Sequence, residues 1–240
     1  MKWIPDSTGR FAKRPYYTPE ELDAECEKIV TDFLRNKYGK IEFPISTEDL
    51  KLLLEQDVAD LDLYADFATE GNDIEGDTKF FHGAKPKVRI LKELTENDRM
   101  ENRLRTTLTH EYGHVFFHTA LFELERKNQS LFSTKKKETV NQCKRETIFS
   151  NSRKDWMEWQ AGYACGAILI PSSYLKDKLV EAAQFIGIKE AVAHHSTEGN
   201  VLIAEIANFF QVSIDAATVR LLQKGVFSEP TGGLGLGAVQ

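Results

Sequence analysis

The sequence predicts an α+β fold that is mostly helical, with one small antiparallel sheet and a helical C-terminal region. Three observations carry that expectation. Apolar residues recur at helical spacing in long runs, as in Leu22, Cys26, Ile29, Val30 and Phe33, or Leu104, Leu108, Tyr112 and Val115. Two short β-type runs, 79–82 and 87–91, flank Gly83 and Pro86. Two short amphipathic stretches, 201–210 and 216–222, follow one another around a Val-Ser turn.

In chain order, residues 1–17 mix basic, aromatic and proline residues without periodicity and read as an arm. Thr18, Pro19 and Glu21 make a capping box with proline at the first helical position, so a helix begins there. A second helix begins around Ser46-Thr47-Glu48-Asp49 and carries Leu50, Leu53 and Leu54 inward. The strands at 79–82 and 87–91 pair through a turn containing Gly83 and Pro86. A strand edge beside the next helix can hold an extended peptide by main-chain hydrogen bonds. That helix starts after Asn97 or Asp98 as cap and, past Val115-Phe116-Phe117, is apolar nearly all round, which implies burial. Residues 119–154 include Lys135-Lys136-Lys137 and Cys143-Lys144-Arg145, and read either as a substrate-contacting lid or as a solvated basic loop. Another apolar helix spans Asp155 to Pro171, with Ala and Gly for close packing. Ser213 caps the second C-terminal helix, and the glycine-rich stretch 228–240 reads as a flexible tail.

Within the helix after residue 100 stands His110-Glu111-Tyr112-Gly113-His114. Imidazoles four residues apart lie one turn apart and roughly 40° apart around the axis, so both rings can converge on one cation. Glu111 lies beside that cation rather than in the natural position for a third ligand, and is placed to take a proton from water. A catalytic zinc takes three protein ligands and leaves a fourth position open, so another His, Glu or Asp must come from elsewhere. Glu158 is the candidate. Asp155 and Glu158 also have the spacing of a capping box, which alone accounts for a glutamate in a first turn. The metzincin spacing is excluded, because its third histidine would fall at Ala120. His118, one turn past His114, either orients a ligand or packs. His194-His195 rank lower as ligands, since neighbours on a helix point apart. Tyr112, His118 and His194 are candidates for stabilising an oxyanion.

Arg105-Thr106-Thr107-Leu108-Thr109 ahead of the motif, Glu158 with Ala161 three residues on, and Ile168-Leu169-Ile170-Pro171 closing the helix resemble the ImmA/IrrE family of zinc metallo-endopeptidases. Gly162 stands where that family usually has Asn, and Ala164 where it usually has an aromatic residue. The resemblance implies a zincin-like catalytic domain over 18–175, with Zn2+ held by His110, His114 and Glu158 and with Glu111 as general base. A helix-turn-helix-like region follows over 176–227. The implied substrate is a cytosolic protein, a helix-turn-helix repressor whose cleavage relieves repression of stress-response or mobile-element genes.

Composition agrees with a cytoplasmic enzyme. With 41% hydrophobic residues among 240, the chain can bury one sizeable core. No apolar run approaches the ~18 residues that span a membrane, and Met1–Asp6 lacks the apolar core of a signal peptide. Cys26, Cys143 and Cys165 are too few and too irregularly spaced for a disulfide framework and read as reduced thiols. A net charge of -6 argues against a general polyanion-binding surface. The alternative is a DNA-binding regulator that uses the helix-turn-helix-like segment, with a structural or vestigial metal site. Its recognition helix offers Arg220 and Lys224 but also Asp215, a poor match to phosphate. A third reading is zinc hydrolysis of a small amide.

Overall fold

The computed structural model describes residues 1–71, 73–81, 83–128, 139–144, 155–188 and 192–228, with 123–128 and 139–144 described by backbone alone. The expected α+β class is observed. A hairpin of β1 (Lys2–Pro5) and β2 (Lys13–Tyr16) precedes α1 (Pro19–Tyr38) and α2 (Thr47–Glu55). Then come β3 (Asp60–Ala65), β4 (Ile74–Phe81), β5 (Ala84–Leu91) and α3 (Lys92–Glu96). A 3-10 turn leads into α4 (Glu101–Asn128), followed by β6 (Thr139–Lys144), α5 (Trp156–Leu169), α6 (Ser172–Ile186), α7 (Thr197–Phe210) and α8 (Ile214–Gln223).

Local chemistry sets most of these boundaries. The Thr18 hydroxyl accepts from the Glu21 amide while the Glu21 carboxylate accepts from the Thr18 amide, so the capping box forms as read. Gly39 ends α1 at φ 71°, a left-handed conformation that glycine adopts without strain. Ser46, Ser196 and Ser213 cap α2, α7 and α8. Asn97 caps the 3-10 turn rather than α4 itself.

The four-stranded sheet has the order β3-β5-β4-β6 and is mixed, because β3 runs parallel to β5. The turn at Gly83 (φ 79°) joins β4 to β5 as expected. Pro86 lies inside β5 instead, beside a register shift that relieves the ladder of the N–H it lacks. β4, the strand packed on α4, is interior: β5 pairs on one side and β6 on the other, so it offers no free edge to a peptide. His82 lies outside the described residues. So do 129–138 and 145–154, with Lys135-Lys136-Lys137 and Arg145, but the start of the expected 119–154 connection continues α4 and its middle forms β6. The tail from 229 onward also lies outside the described residues.

Residues 1–17 form a paired hairpin rather than an arm, with Trp3 opposite Pro15 and Ile4 opposite Arg14. Its connecting loop buries Phe11 against Phe80, Phe122, Trp156 and Met157, and Arg10 pairs with Asp155 at 2.9 Å. The hairpin is therefore clamped to the start of α5. A larger apolar cluster runs from Leu22 of α1 through α2, α4 and α5 to Leu221 of α8. The buried Arg105 guanidinium fastens α4 to the end of α7, donating to the carbonyls of Ile45, Phe210 and Gln211. Among the described residues, no single helix is long and apolar enough to cross a membrane; α7 and α8 meet that test only together, as a pair bent by 109°.

Candidate metal centre

α4 and α5 meet where neither has bulk. A Cβ on Gly113 would come within 2.9 Å of the Ala161 Cα and 3.2 Å of the Ala164 Cβ, so glycine here and alanine opposite set the closeness of the two helices. That closeness brings Glu158 onto the histidines. Asp155 does cap α5, accepting from the Met157 amide at 3.0 Å, but the Glu158 carboxylate turns to the imidazoles. The capping reading explains Asp155 and leaves Glu158 free for the ligand role.

Glu158 Oε2 lies 3.2 Å from His110 Nε2, Glu158 Oε1 lies 3.2 Å from His114 Nε2, and the two Nε2 atoms are themselves 3.2 Å apart. One ligand atom from each side chain lies within 4.8 Å of the others, close enough for all three to reach one cation. Among the described residues, these three side chains are the group able to hold a metal ion. His194-His195 do not join it. They lie in the turn before α7 with their ring centres 3.4 Å apart and their planes tilted by 45°.

Glu111 sits alongside, fully buried. Its Oε2 accepts from the Thr78 hydroxyl on β4 at 2.5 Å, while Oε1 is buried without a hydrogen-bond partner among the described residues. Gly76, two residues before Thr78, makes the room: a Cβ there would lie 3.0 Å from Glu111 Oε1. A buried carboxylate oxygen with nothing donating to it is costly unless a ligand supplies the donor.

Behind the ligands runs a chain of contacts. His114 Nδ1 lies 3.1 Å from His118 Nδ1, His118 Nε2 lies 3.1 Å from Gln160 Oε1, and the Gln160 amide donates to the Pro15 carbonyl of β2 at 3.1 Å. His118 thus occupies the orienting position. His110 has no counterpart: its Nδ1 is buried with no hydrogen-bond partner among the described residues.

The electrostatics follow from burial and facing charge. Burial depresses both imidazoles; the Glu158 carboxylate outweighs it at His114, which ends above its ordinary pKa, but not at His110, which ends below. Burial also works against the Glu158 carboxylate, and the two imidazoles overcome it, holding the acid far below the usual carboxylate range. Burial pushes Glu111 up to about 8 against the pull of His114 and the Thr78 hydroxyl. A divalent cation beside it would draw it down again. Burial and the adjacent His114 keep His118 well below its ordinary value, hence neutral. Glu158 keeps 17% of its side chain exposed whereas both ligand histidines and Glu111 are fully buried, so solvent meets the centre at the Glu158 carboxylate.

Of the three oxyanion candidates, Tyr112 donates to Asp57 at 3.0 Å, His118 is held behind His114, and His194 lies outside the ligand group. Thr78, Gly76, Gln160 and the Pro15 carbonyl contribute without a signal in the sequence, since each acts through a contact between distant segments. The chain matches no protein-family model, no curated protein and no solved structure.

Proposed function

We propose that this protein is a zinc-dependent endopeptidase of the ImmA/IrrE type, acting in the cytoplasm on a repressor of the helix-turn-helix class and so relieving repression. The observation that carries the reading is the convergence of His110, His114 and Glu158, with Glu111 Oε1 buried and unpartnered among the described residues. Two imidazole nitrogens and one carboxylate, three ligands rather than four, suit catalytic zinc better than a closed structural site. The repressor substrate rests on the resemblance of the motifs, and the same site would serve hydrolysis of a small amide.

Zinc, when bound, is a Lewis acid that polarises the scissile carbonyl and makes water nucleophilic at neutral pH. The chain's own residues do the rest. Glu111 accepts the water's proton on Oε1 and passes it to the leaving nitrogen, while the Thr78 hydroxyl pins Oε2 so that Oε1 keeps its aim. The buried walls exclude bulk solvent from both imidazoles and from Glu111, leaving access on the Glu158 side.

The test is co-expression with a repressor encoded beside this protein, comparing wild type with Glu111→Gln. The wild type should hold about one zinc per chain and shorten its partner; the variant should keep the zinc and lose about 10²- to 10⁴-fold in cleavage. Undiminished cleavage by Glu111→Gln would remove the proposed base. A wild type without zinc would remove the metal centre.

A further inference from the structure

The contacts behind His114 have a direction. A proline carbonyl can only accept, so the Gln160 amide group faces Pro15 and its Oε1 faces His118. That oxygen can also only accept, so His118 carries its hydrogen on Nε2, and its Nδ1 is bare in the neutral ring. The 3.1 Å gap between the two Nδ1 atoms then holds a hydrogen belonging to His114. A neutral His114 protonated on Nδ1 presents a bare Nε2, the state a metal ligand requires. The opposite amide orientation would set Gln160 Oε1 against the Pro15 carbonyl, two acceptors with no hydrogen between them.

We infer that His118 and Gln160 are positioning residues for the metal centre, and that the N-terminal hairpin, through the Pro15 carbonyl, fixes the tautomer of His114. The inference rests on the proposed metal site. It extends that site to β2, some hundred positions earlier in the sequence than the histidine it sets. The hairpin is suited to the task because it is anchored twice to the start of α5: Arg10 holds Asp155 and Met157, and the Arg14 guanidinium lies 5.2 Å from the centre of the Trp156 ring. His110 lacks such support, so the effect falls on one of the two imidazoles.

Zinc affinity of the full-length protein, measured by competition with a chromophoric chelator, tests this without any substrate. His118→Leu and Gln160→Leu should each bind zinc about 10- to 100-fold more weakly than wild type. His118→Asn places an amide oxygen where Nδ1 stood, can still accept from His114, and should recover most of the loss; a role in packing alone would not distinguish Asn from Leu in that direction. Imidazole 15N spectra of the zinc-loaded wild type need no variant to fold, and should show His118 protonated on Nε2 and bare on Nδ1. Wild-type affinity in both Leu variants, or His118 protonated on Nδ1, overturns the inference while leaving the metal site standing. Failure of the wild type to bind zinc overturns the site itself.

Discussion

Two places in this molecule bury ionisable groups between helices. Asp23 of α1 receives Arg220 on Oδ1 at 2.7 Å, Lys224 on Oδ2 at 2.7 Å, and the Tyr163 hydroxyl on Oδ2 at 3.1 Å. Every group facing that carboxylate is a donor, and Arg220 Nη1 is a donor left over, buried with no partner among the described residues. Where α4 meets α5, two imidazole nitrogens and a carboxylate converge at 3.2 Å, and Glu111 Oε1 is buried with no donor among the described residues. Burial and shifted pKa values are common to both, so neither marks a site. The sign of the imbalance does. Cations paired with a carboxylate hold elements together, whereas a buried carboxylate oxygen with no donor calls for a cation from outside.

Exchanging the two lesions should separate the roles most sharply. His114→Ala should abolish stoichiometric zinc, read by elemental analysis of the purified protein, with the fold retained. Asp23→Ala should do the reverse, leaving zinc at one per chain and lowering unfolding free energy by about 3–5 kcal/mol in denaturant titration, because Arg220 stays buried without its counter-charge. Zinc lost from Asp23→Ala while its fold is intact would mean that the two clusters are one system.

Acid acts on the Asp23 cluster in a known direction. Burial works against the Asp23 carboxylate, but Arg220 and Lys224 overcome it and hold its pKa below the usual value. A group depressed in the folded state stabilises above its unfolded pKa, about 3.9, and that stability is lost as pH falls through the lower folded value. Wild type should therefore lose stability more steeply than Asp23→Asn as pH drops below about 4, measured by thermal unfolding. Parallel pH curves would show that the ion pairs contribute nothing.

The contact between α4 and α5 offers a smaller effect with two terms of opposite sign. Replacing a helical glycine by alanine favours a helix by up to about 1 kcal/mol. At Gly113 the added Cβ would stand 2.9 Å from the Ala161 backbone, which cannot rotate aside, and overpacking of this kind costs about 1–3 kcal/mol. Gly113→Ala should be net destabilising by on the order of 1 kcal/mol in chemical denaturation, and its zinc affinity should fall as the ligand triangle opens. A stabilised Gly113→Ala would show that the helices have room to spare.

The same contrast explains what the sequence could carry. The helix bearing His110 and His114 was legible because its ligands are four residues apart, and caps such as Thr18, Ser46 and Ser213 act within three residues of themselves. Glu158 was open between two roles because spacing cannot say where a carboxylate turns; the close approach at Gly113 decides it. Residues 1–17 gave no strand signal because the pairing of Trp3 with Pro15 is short and its worth lies in docking on α5. β6 was hidden because its pairing with β4 bridges about sixty residues, and β4 thereby lost the free edge its pattern suggested. Arg220 and Lys224 looked like surface cations on a recognition helix. Only the fold brings Asp23, nearly two hundred residues earlier, against both.

Lys224 gives the finest test of the comparison. Its side chain is 30% exposed where Arg220 is fully buried, so water already screens its bond to Asp23. Lys224→Met should cost under about 1 kcal/mol, several-fold less than the loss of Asp23, in the same denaturant titration. The variant also bears on the DNA-binding alternative. A phosphate-contacting lysine adds about one to the slope of log affinity against log salt, and its removal should flatten that slope by as much. With Arg220 of α8 and Lys224 at its C-terminal cap both drawn onto Asp23, wild type and Lys224→Met should show the same weak retention of duplex DNA at every salt concentration. A salt slope that falls by one in the variant would mean that the lysine leaves Asp23 for phosphate and that α8 faces nucleic acid after all.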